Sequence, residues 1–484
     1  MAALYFLLMT SSAITFQNAA AALNRGDNLD AEKLFKVVLE REPNHVAALN
    51  LLTVALVRLQ RYADAEEFIA RAVTLNQRYD VSYYNYGIIL KGVGKPEQAL
   101  QQFDNALRLN PDSPENWNIR GTLLNDLKRY EDAISNFDRA ISLNGNYPAA
   151  LFNKGKSLSA LERHEEALHA YDAALALAPD LQVAWFARGR CCIALERDGE
   201  ALSSYTRLFG AQRDYVKKIV LESNIGVPAE VPDAFNENSG RASDIDEIKR
   251  TLNLLEPSRA IGFDKIRVGN AADGGYVQLD DFACLSHAFS LGVSVDDSWD
   301  IMLALKGIPV DQYDGSIDET PTQHRLLRFF KRNVGPVTTG DCIGFDDIVA
   351  PYVTAESPDF ILKMDIEGAE WNILDRCDHK TLSRFAQIVV EFHNLFELRN
   401  KTFRERAQRV FAELNNLFAV IHVHANNFGG VSRIAGKTMA DTLELSYASR
   451  RRYRLEKSDE EFPTPLDSPN NPYSSDIRLG TFRF

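Results

Sequence analysis

Cysteine is scarce in this 484-residue chain, with five in all: Cys191, Cys192, Cys284, Cys342 and Cys377. They show neither the paired spacing of a disulfide framework nor a zinc pattern, which excludes a cystine-stapled fold and leaves reduced thiols in a cytoplasmic protein as the simple reading. Positive charge is also short, 54 Lys and Arg against 67 Asp and Glu, for a net charge of −13. That argues against a nucleic-acid partner, which needs a basic footprint, and against docking on an anionic membrane surface. No run of 18 apolar residues occurs, so no transmembrane helix is expected. The first residues are apolar but carry no basic lead, and residues 1–11 are read as a leading helix rather than a secretory signal. What remains is the make-up of a globular protein, 45% hydrophobic and 25% charged, long enough for about three domains.

Against those absences stands a strict period. Ala31, Ala65, Ala99, Ala133, Ala167 and Ala201 follow one another at 34-residue intervals. Gly87, Gly121, Gly155 and Gly189 keep the same spacing, as do Tyr83, Trp117, Leu151 and Trp185. Phe35, Ile69, Phe103, Phe137, Tyr171 and Tyr205 put a large apolar side chain on the second helix of each pair, and Pro43, Pro111 and Pro179 close alternate units. The pattern resembles the tetratricopeptide family over residues 12–212, in six units. Small residues let the two helices of a unit approach closely, and the aromatic is expected to fill the space between neighbouring units. The resemblance implies a concave groove lined by Tyr84, Ile88, Lys91, Asn118, Asn125, Phe152, Lys156, Phe186 and Arg190, suited to a peptide, a protein or a glycan.

The helical pattern fades after Tyr215 into a segment rich in Pro, Asn and Gly, so residues 213–242 are read as helix and linker and 243–484 as a second domain. There, short apolar runs alternate with helical stretches, the pattern of a mostly parallel sheet covered on both faces. Strands are expected at Ala288–Leu291, Pro309–Tyr313, within Leu326–Val334, and at Phe360–Met364, Gln387–Glu391, Phe418–His424 and Thr442–Tyr447, with a helix over Ser298–Lys306. Ligands of such sheets lie beyond the carboxyl ends of the strands, where strand order reverses. At those ends stand Gly292, which reads either as a turn admitting a cofactor to bare backbone or as a tight βα turn, and Asp314, either a ribose acceptor or part of a surface Asp-Gly turn. His422 and His424 alternate on one strand, so one is expected to face inward and the other away.

The strongest local signal is Lys363-Met364-Asp365-Ile366-Glu367-Gly368-Ala369-Glu370, three carboxylates within six residues at a strand-to-helix loop. One acid there would satisfy a helix dipole; three exceed that need. The segment is similar to the signature of FkbM-type S-adenosylmethionine-dependent methyltransferases over roughly residues 260–484. Phe345-Asp346-Asp347, Val389-Val390-Glu391-Phe392-His393, Arg267-Val268-Gly269 with Asp273-Gly274-Gly275-Tyr276, and His422-Val423-His424-Ala425-Asn426-Asn427 stand in the order of that family.

The resemblance implies an α-solenoid followed by an α/β class I methyltransferase fold, Rossmann-like with a mostly parallel seven-stranded sheet. S-adenosylmethionine would contact Leu291, Gly292, Val293, Ser294, Asp314 and Met364, while Asp365, Glu367 and His393 orient and deprotonate an acceptor, a sugar or other hydroxyl. A divalent metal suits these oxygen ligands without being required by the spacing. The glycine turn is thinned to Gly292 alone, and the short Gly315–Arg325 stretch with Pro321 leaves no room for the usual helix. A non-catalytic adaptor with a degenerate domain is therefore the first alternative, and a protein associated with sugar transfer the second.

Overall fold

In the computed structural model the described residues are 2–209, 242–270, 275–283, 285–294, 296–354, 359–427, 431–434, 437–467 and 477–483, side chains excepted at 2–11, 242–243 and 431–438. They divide into two compact units, Met1–Cys191 and Cys192–Phe484. The linker expected at 213–242 lies, but for its last residue, outside the described residues, as do Asp273, Gly274 and Cys284.

The first unit is a stack of antiparallel helix pairs. Ala2–Arg25 pairs with Asn28–Arg41, Val46–Arg58 with Tyr62–Leu75, Asp80–Gly92 with Pro96–Leu109, Pro114–Asp126 with Tyr130–Leu143, and Pro148–Ala160 with His164–Leu177. Gln182–Ala194 runs across the division between the units, and residues 198–209, which belong to the second unit, are helical. The leading segment is not a separate element but the first turns of the long helix Ala2–Arg25. All six ladder alanines are fully buried.

The periodic glycines explain the aromatics. A Cβ on Gly87 would stand 2.4 Å from Phe103, one on Gly121 2.7 Å from Phe137, and one on Gly155 2.5 Å from Tyr171. Each aromatic therefore fills a notch in the partner helix of its own unit, which corrects the expectation that it serves the space between units. Successive units are instead tied by amides. Asn50 donates to Ser82 Oγ (2.9 Å) and Asn85 to Asn50 (3.3 Å); further along, Asn153 donates to Asn118 (3.1 Å) and Ser157 to Asn125 (2.7 Å).

The second unit is built on a seven-stranded sheet. Its strands are β1 (Leu285–Leu291), β2 (Val310–Tyr313), β3 (Leu327–Phe330), β4 (Asp359–Met364), β5 (Phe385–Phe392), β6 (Phe418–Ala425) and β7 (Leu443–Ser449), in the order 6-7-5-4-1-2-3. Strands β1 to β5 pair in parallel and β7 runs antiparallel between β5 and β6. All seven fall where the apolar runs place them. They are buried on both faces from β4 to β7, so β4 and β5 read as nearly continuous apolar stretches, while β6 and β7 carry buried polar side chains in alternation. No helix interrupts the path from β2 to β3, as Pro321 and the short spacing imply.

One expectation fails within β6. His422 and His424 stand two residues apart, which on a pleated strand puts both on one face, and both are buried there: His422 Nε2 pairs with Asp467 (2.7 Å) and His424 Nδ1 with Glu444 (3.1 Å). A bulge between Val420 and His422 shifts the register against β7 as well.

Candidate active site

The order of the sheet reverses between β1 and β4, since β2 and β3 continue on one side and β5 to β7 on the other. A cavity of about 570 Å³ opens at the carboxyl ends there, lined by Gly292, Val293, Ser294, Asp296, Tyr313, Asp314, Asn333, Lys363, Asp365, Ile366 and Glu367 among others. That is the size of a small-molecule site, in the place where such sheets hold ligands.

Its floor is a backbone junction. Gly292 N–H donates to Tyr313 O (3.0 Å) and Asp365 N–H to Leu291 O (2.9 Å), so the loops after β1, β2 and β4 are laced together. Gly292 adopts φ +82°, and a Cβ there would stand 1.6 Å from the Asp365 carbonyl oxygen. The glycine is thus demanded by the neighbouring loop of the protein itself.

Asp314 closes the same junction. Its Oδ2 accepts from the amides of Val293 and Ser294, both at 2.9 Å, and its Oδ1 from the amide (2.7 Å) and hydroxyl (2.5 Å) of Ser316. Burial works against its charge, but these hydrogen bonds outweigh it and hold the carboxyl below the usual range. Tyr313 stacks on Phe330 beside it, centroids 4.8 Å apart.

Along β4 the side chains alternate. Phe360, Leu362 and Met364 enter the main apolar core, whereas Lys363, 3% exposed, projects on the opposite face and donates to Gly292 O (2.7 Å). Leu291 belongs to the same core. Leu291 and Met364 therefore do not line the cavity with their side chains, and the lining residue from this strand is Lys363, which the reading of the signature passed over.

The acids of the signature separate by role. Asp365 is half-buried and accepts from the Tyr276 hydroxyl (3.2 Å). Burial raises its carboxyl, and Glu367 adds to the rise against the cations Lys363 and His393. Glu367 is exposed, on backbone at φ +52°, an uncommon conformation for a residue with a side chain. Glu370 is fully enclosed: its Oε2 accepts from Gly368 N (2.8 Å) and its Oε1 from His393 N (2.9 Å), with His393 Nδ1 at 3.3 Å.

His393 thus follows β5 in a tight grip, its carbonyl also taken by the indole of Trp371 (2.8 Å). Its Nε2 faces Glu367 (3.5 Å), Glu391 (3.7 Å) and Asp365 (4.0 Å). Burial lowers the imidazole pKa, yet the hydrogen bond it donates to Glu370 and the surrounding carboxylates prevail and leave it raised. Asn426 donates to Glu391 (2.7 Å), which ties the end of β6 to this corner. The structure brings Asp365, Glu367 and His393 together, places Gly292 and Asp314 at the far side of the same cavity, and adds Lys363, Tyr276 and Glu370. Asp346 stands apart, accepting from Asp378 N (3.1 Å).

A parallel sheet with one antiparallel strand near its edge and a switch-point cavity rich in carboxylates defines a Rossmann-like domain of the methyltransferase class, preceded here by a helical repeat. The described residues hold a single such sheet, so the two lobes of a sugar-transferring enzyme are not present among them. Comparison with known families agrees. Residues 22–85, 86–150 and 148–181 match three profiles described as Tetratricopeptide repeat, and residues 286–418 match the Methyltransferase FkbM domain. The chain joins a tetratricopeptide array to an FkbM methyltransferase domain.

Among solved structures, the array is similar to PilF of Pseudomonas aeruginosa (19% identity, 45% of this chain and 99% of that one, TM-score 0.39). It is similar also to YrrB, titled a TPR protein with an unusual peptide-binding site (22%, 39% and 97%, 0.32), and to MamA from Desulfovibrio magneticus RS-1 (18%, 35% and 96%, 0.33). None of the curated proteins compared with the chain matches it. No described helix is long and apolar enough to cross a membrane.

Proposed function

We propose that the second unit transfers a methyl group from S-adenosylmethionine to a hydroxyl acceptor, a sugar hydroxyl first among them, and that the repeats hold the acceptor or a partner that carries it. The observation that carries the reading is the charge of the switch-point cavity: Asp296, Asp314, Asp365 and Glu367 against one cation, Lys363, itself bonded to Gly292 O. A cavity so biased suits a ligand with a positive centre, and a sulfonium is one. S-adenosylmethionine supplies an activated methyl group whose C–S bond breaks as the new C–O bond forms, the electron pair staying on sulfur.

The chain's own residues have the remaining tasks. The laced backbone around Gly292 presents a flat wall. Asp314 already accepts two hydrogen bonds on each oxygen, which fills the roughly four lone-pair sites of a carboxylate, so it can take a ribose hydroxyl only by releasing Ser316. Asp365 and Glu367 stand where the acceptor would enter; Asp365, held by Tyr276, can take the hydroxyl proton as the bond forms. His393, fixed by Glu370, helps orient the acceptor. Most of the rate would come from alignment, since an in-line displacement needs its partners close and collinear.

In the solenoid, Phe186 and Arg190 lie exposed with the guanidinium 6.0 Å from the ring, a surface for a peptide or a glycan. Asn118 and Asn125 spend part of their capacity on the inter-unit bonds and Lys91 pairs with Asp126 (2.7 Å), so these three offer less to a partner than their identities suggest.

Calorimetric titration with S-adenosylhomocysteine tests the reading. One site per chain is expected, weakened at least tenfold by Asp314→Ala; no heat from the folded wild type would favour an adaptor with a degenerate domain.

A further inference from the structure

Asp365, Glu367 and His393 converge without bonding one another. One ligand-type atom from each lies within 4.8 Å of the other two. The separations from His393 Nε2, 3.5 Å to Glu367 and 4.0 Å to Asp365, exceed the roughly 2.9 Å of an N–H···O hydrogen bond. They approach what a shared ion imposes, because two atoms each about 2.1 Å from one centre stand about 3 to 3.5 Å apart.

The other ring nitrogen decides what Nε2 presents. Nδ1 faces Glu370 Oε1 at 3.3 Å, and Glu370 is fully buried with its remaining oxygen on Gly368 N. An ionised carboxylate only accepts, so the proton of the neutral ring sits on Nδ1 and Nε2 turns its lone pair toward the carboxylates. Carboxylates so placed call for a positive centre at Nε2, which a ring proton or a metal ion can supply, and the separations exceed those of an N–H···O bond. A buried carboxylate behind an imidazole is also the arrangement by which proteins orient a metal-bound histidine.

We propose that Asp365, Glu367 and His393 bind one divalent first-row cation, with Glu370 as the positioning residue behind the imidazole. The imidazole nitrogen in the set suits Zn²⁺ and the two carboxylates suit Mn²⁺, so these two first-row ions are the ones to test. Glu367 is 89% exposed along its side chain, so coordination positions on its side are open to solvent or an incoming oxygen. The site stands on its own geometry; only its use, holding the acceptor oxygen and easing its deprotonation, rests on the methyl-transfer reading.

The test uses the full chain stripped of metal. Mn²⁺ is titrated while free ion is followed by electron paramagnetic resonance, Zn²⁺ is titrated in parallel by calorimetry, and S-adenosylhomocysteine is titrated into the same preparation. One Mn²⁺ per chain is expected, with hyperfine coupling to one imidazole nitrogen in the wild type, a measurement that needs no variant. His393→Gln and Asp365→Asn should each weaken binding at least tenfold, and Glu370→Gln by about 10- to 100-fold while leaving the ligands in place. Stoichiometric binding of neither ion by the folded wild type, or undiminished binding by folded His393→Gln, overturns the site. S-adenosylhomocysteine binding without metal binding overturns the ion and leaves methyl transfer standing; metal binding without S-adenosylhomocysteine supports the ion and sinks the other reading.

Discussion

Asp300 sits on the first turn of the helix Ser298–Leu305, fully buried, with Ser290 and Gln312 beside its carboxylate but neither oxygen in a well-formed hydrogen bond. Burial pushes its carboxyl up to about 6, against the pull of Lys363 and the nearby Ser290 and Gln312. A raised acid binds its proton more tightly in the folded state, so folding stability falls as pH climbs from about 4 through about 6. Asp300→Asn should remove that slope: the stability of the variant relative to wild type should rise by about 2–3 kcal/mol between pH 4 and pH 7, read by denaturant unfolding at each pH. A constant difference across that range would show that the carboxyl is not perturbed. Residue-scale roles were the hardest to read from sequence. Met364 and Lys363 are adjacent, and only the pleat of β4 sends one to the core and the other to the cavity; the alternation of Phe360 and Leu362 with Met364 carried that signal. Tyr276 and Glu370 stand in the conspicuous segments, but their roles were not legible there, because those depend on which distant residues the fold brings to them.

Elements were far more legible. The central strands β1, β4 and β5 are rich in apolar residues, β7 alternates, and the repeat helices follow from the 34-residue period. The reasons behind the glycines were not, since steric need appears only once the facing atom is known. Two substitutions test them. Gly121→Ala places a methyl 2.7 Å from the Phe137 ring and should destabilise the solenoid by about 1–3 kcal/mol. In a Phe137→Leu background the same change should become neutral or stabilising, as the clash goes and the helix-propensity gain of about 1 kcal/mol remains. Thermal unfolding followed by circular dichroism reads both, and equal penalties in the two backgrounds would refute the notch. Gly292→Ala should do more harm in the second unit, because a methyl 1.6 Å from the Asp365 carbonyl must displace backbone at φ +82°. Loss of S-adenosylhomocysteine binding and a lower melting temperature are expected together; unchanged binding would mean that the junction is not the cavity's floor.

At the scale of the whole molecule, two compact units of unlike construction share one chain. Calorimetric unfolding should resolve two transitions, and S-adenosylhomocysteine at about one hundred times its Kd should stabilise the second unit by about 2.7 kcal/mol while leaving the solenoid's transition in place. A shift of both, or of the solenoid alone, would put the ligand elsewhere. The inter-unit amide bonds have a consequence of a different kind. Asn50 with Ser82, Asn118 with Asn153 and Asn125 with Ser157 join one unit only to the next, at spacings of 32 or 35 residues. Nothing in that scheme counts how many units there are. Each bond is particular to its junction, however, since Tyr84 holds the place of Asn50 one unit later and Phe152 that of Asn118: a gene duplication of one whole unit can lengthen the helical arm by 34 residues with these bonds kept, whereas loss of the third unit would leave Asn50 without Ser82.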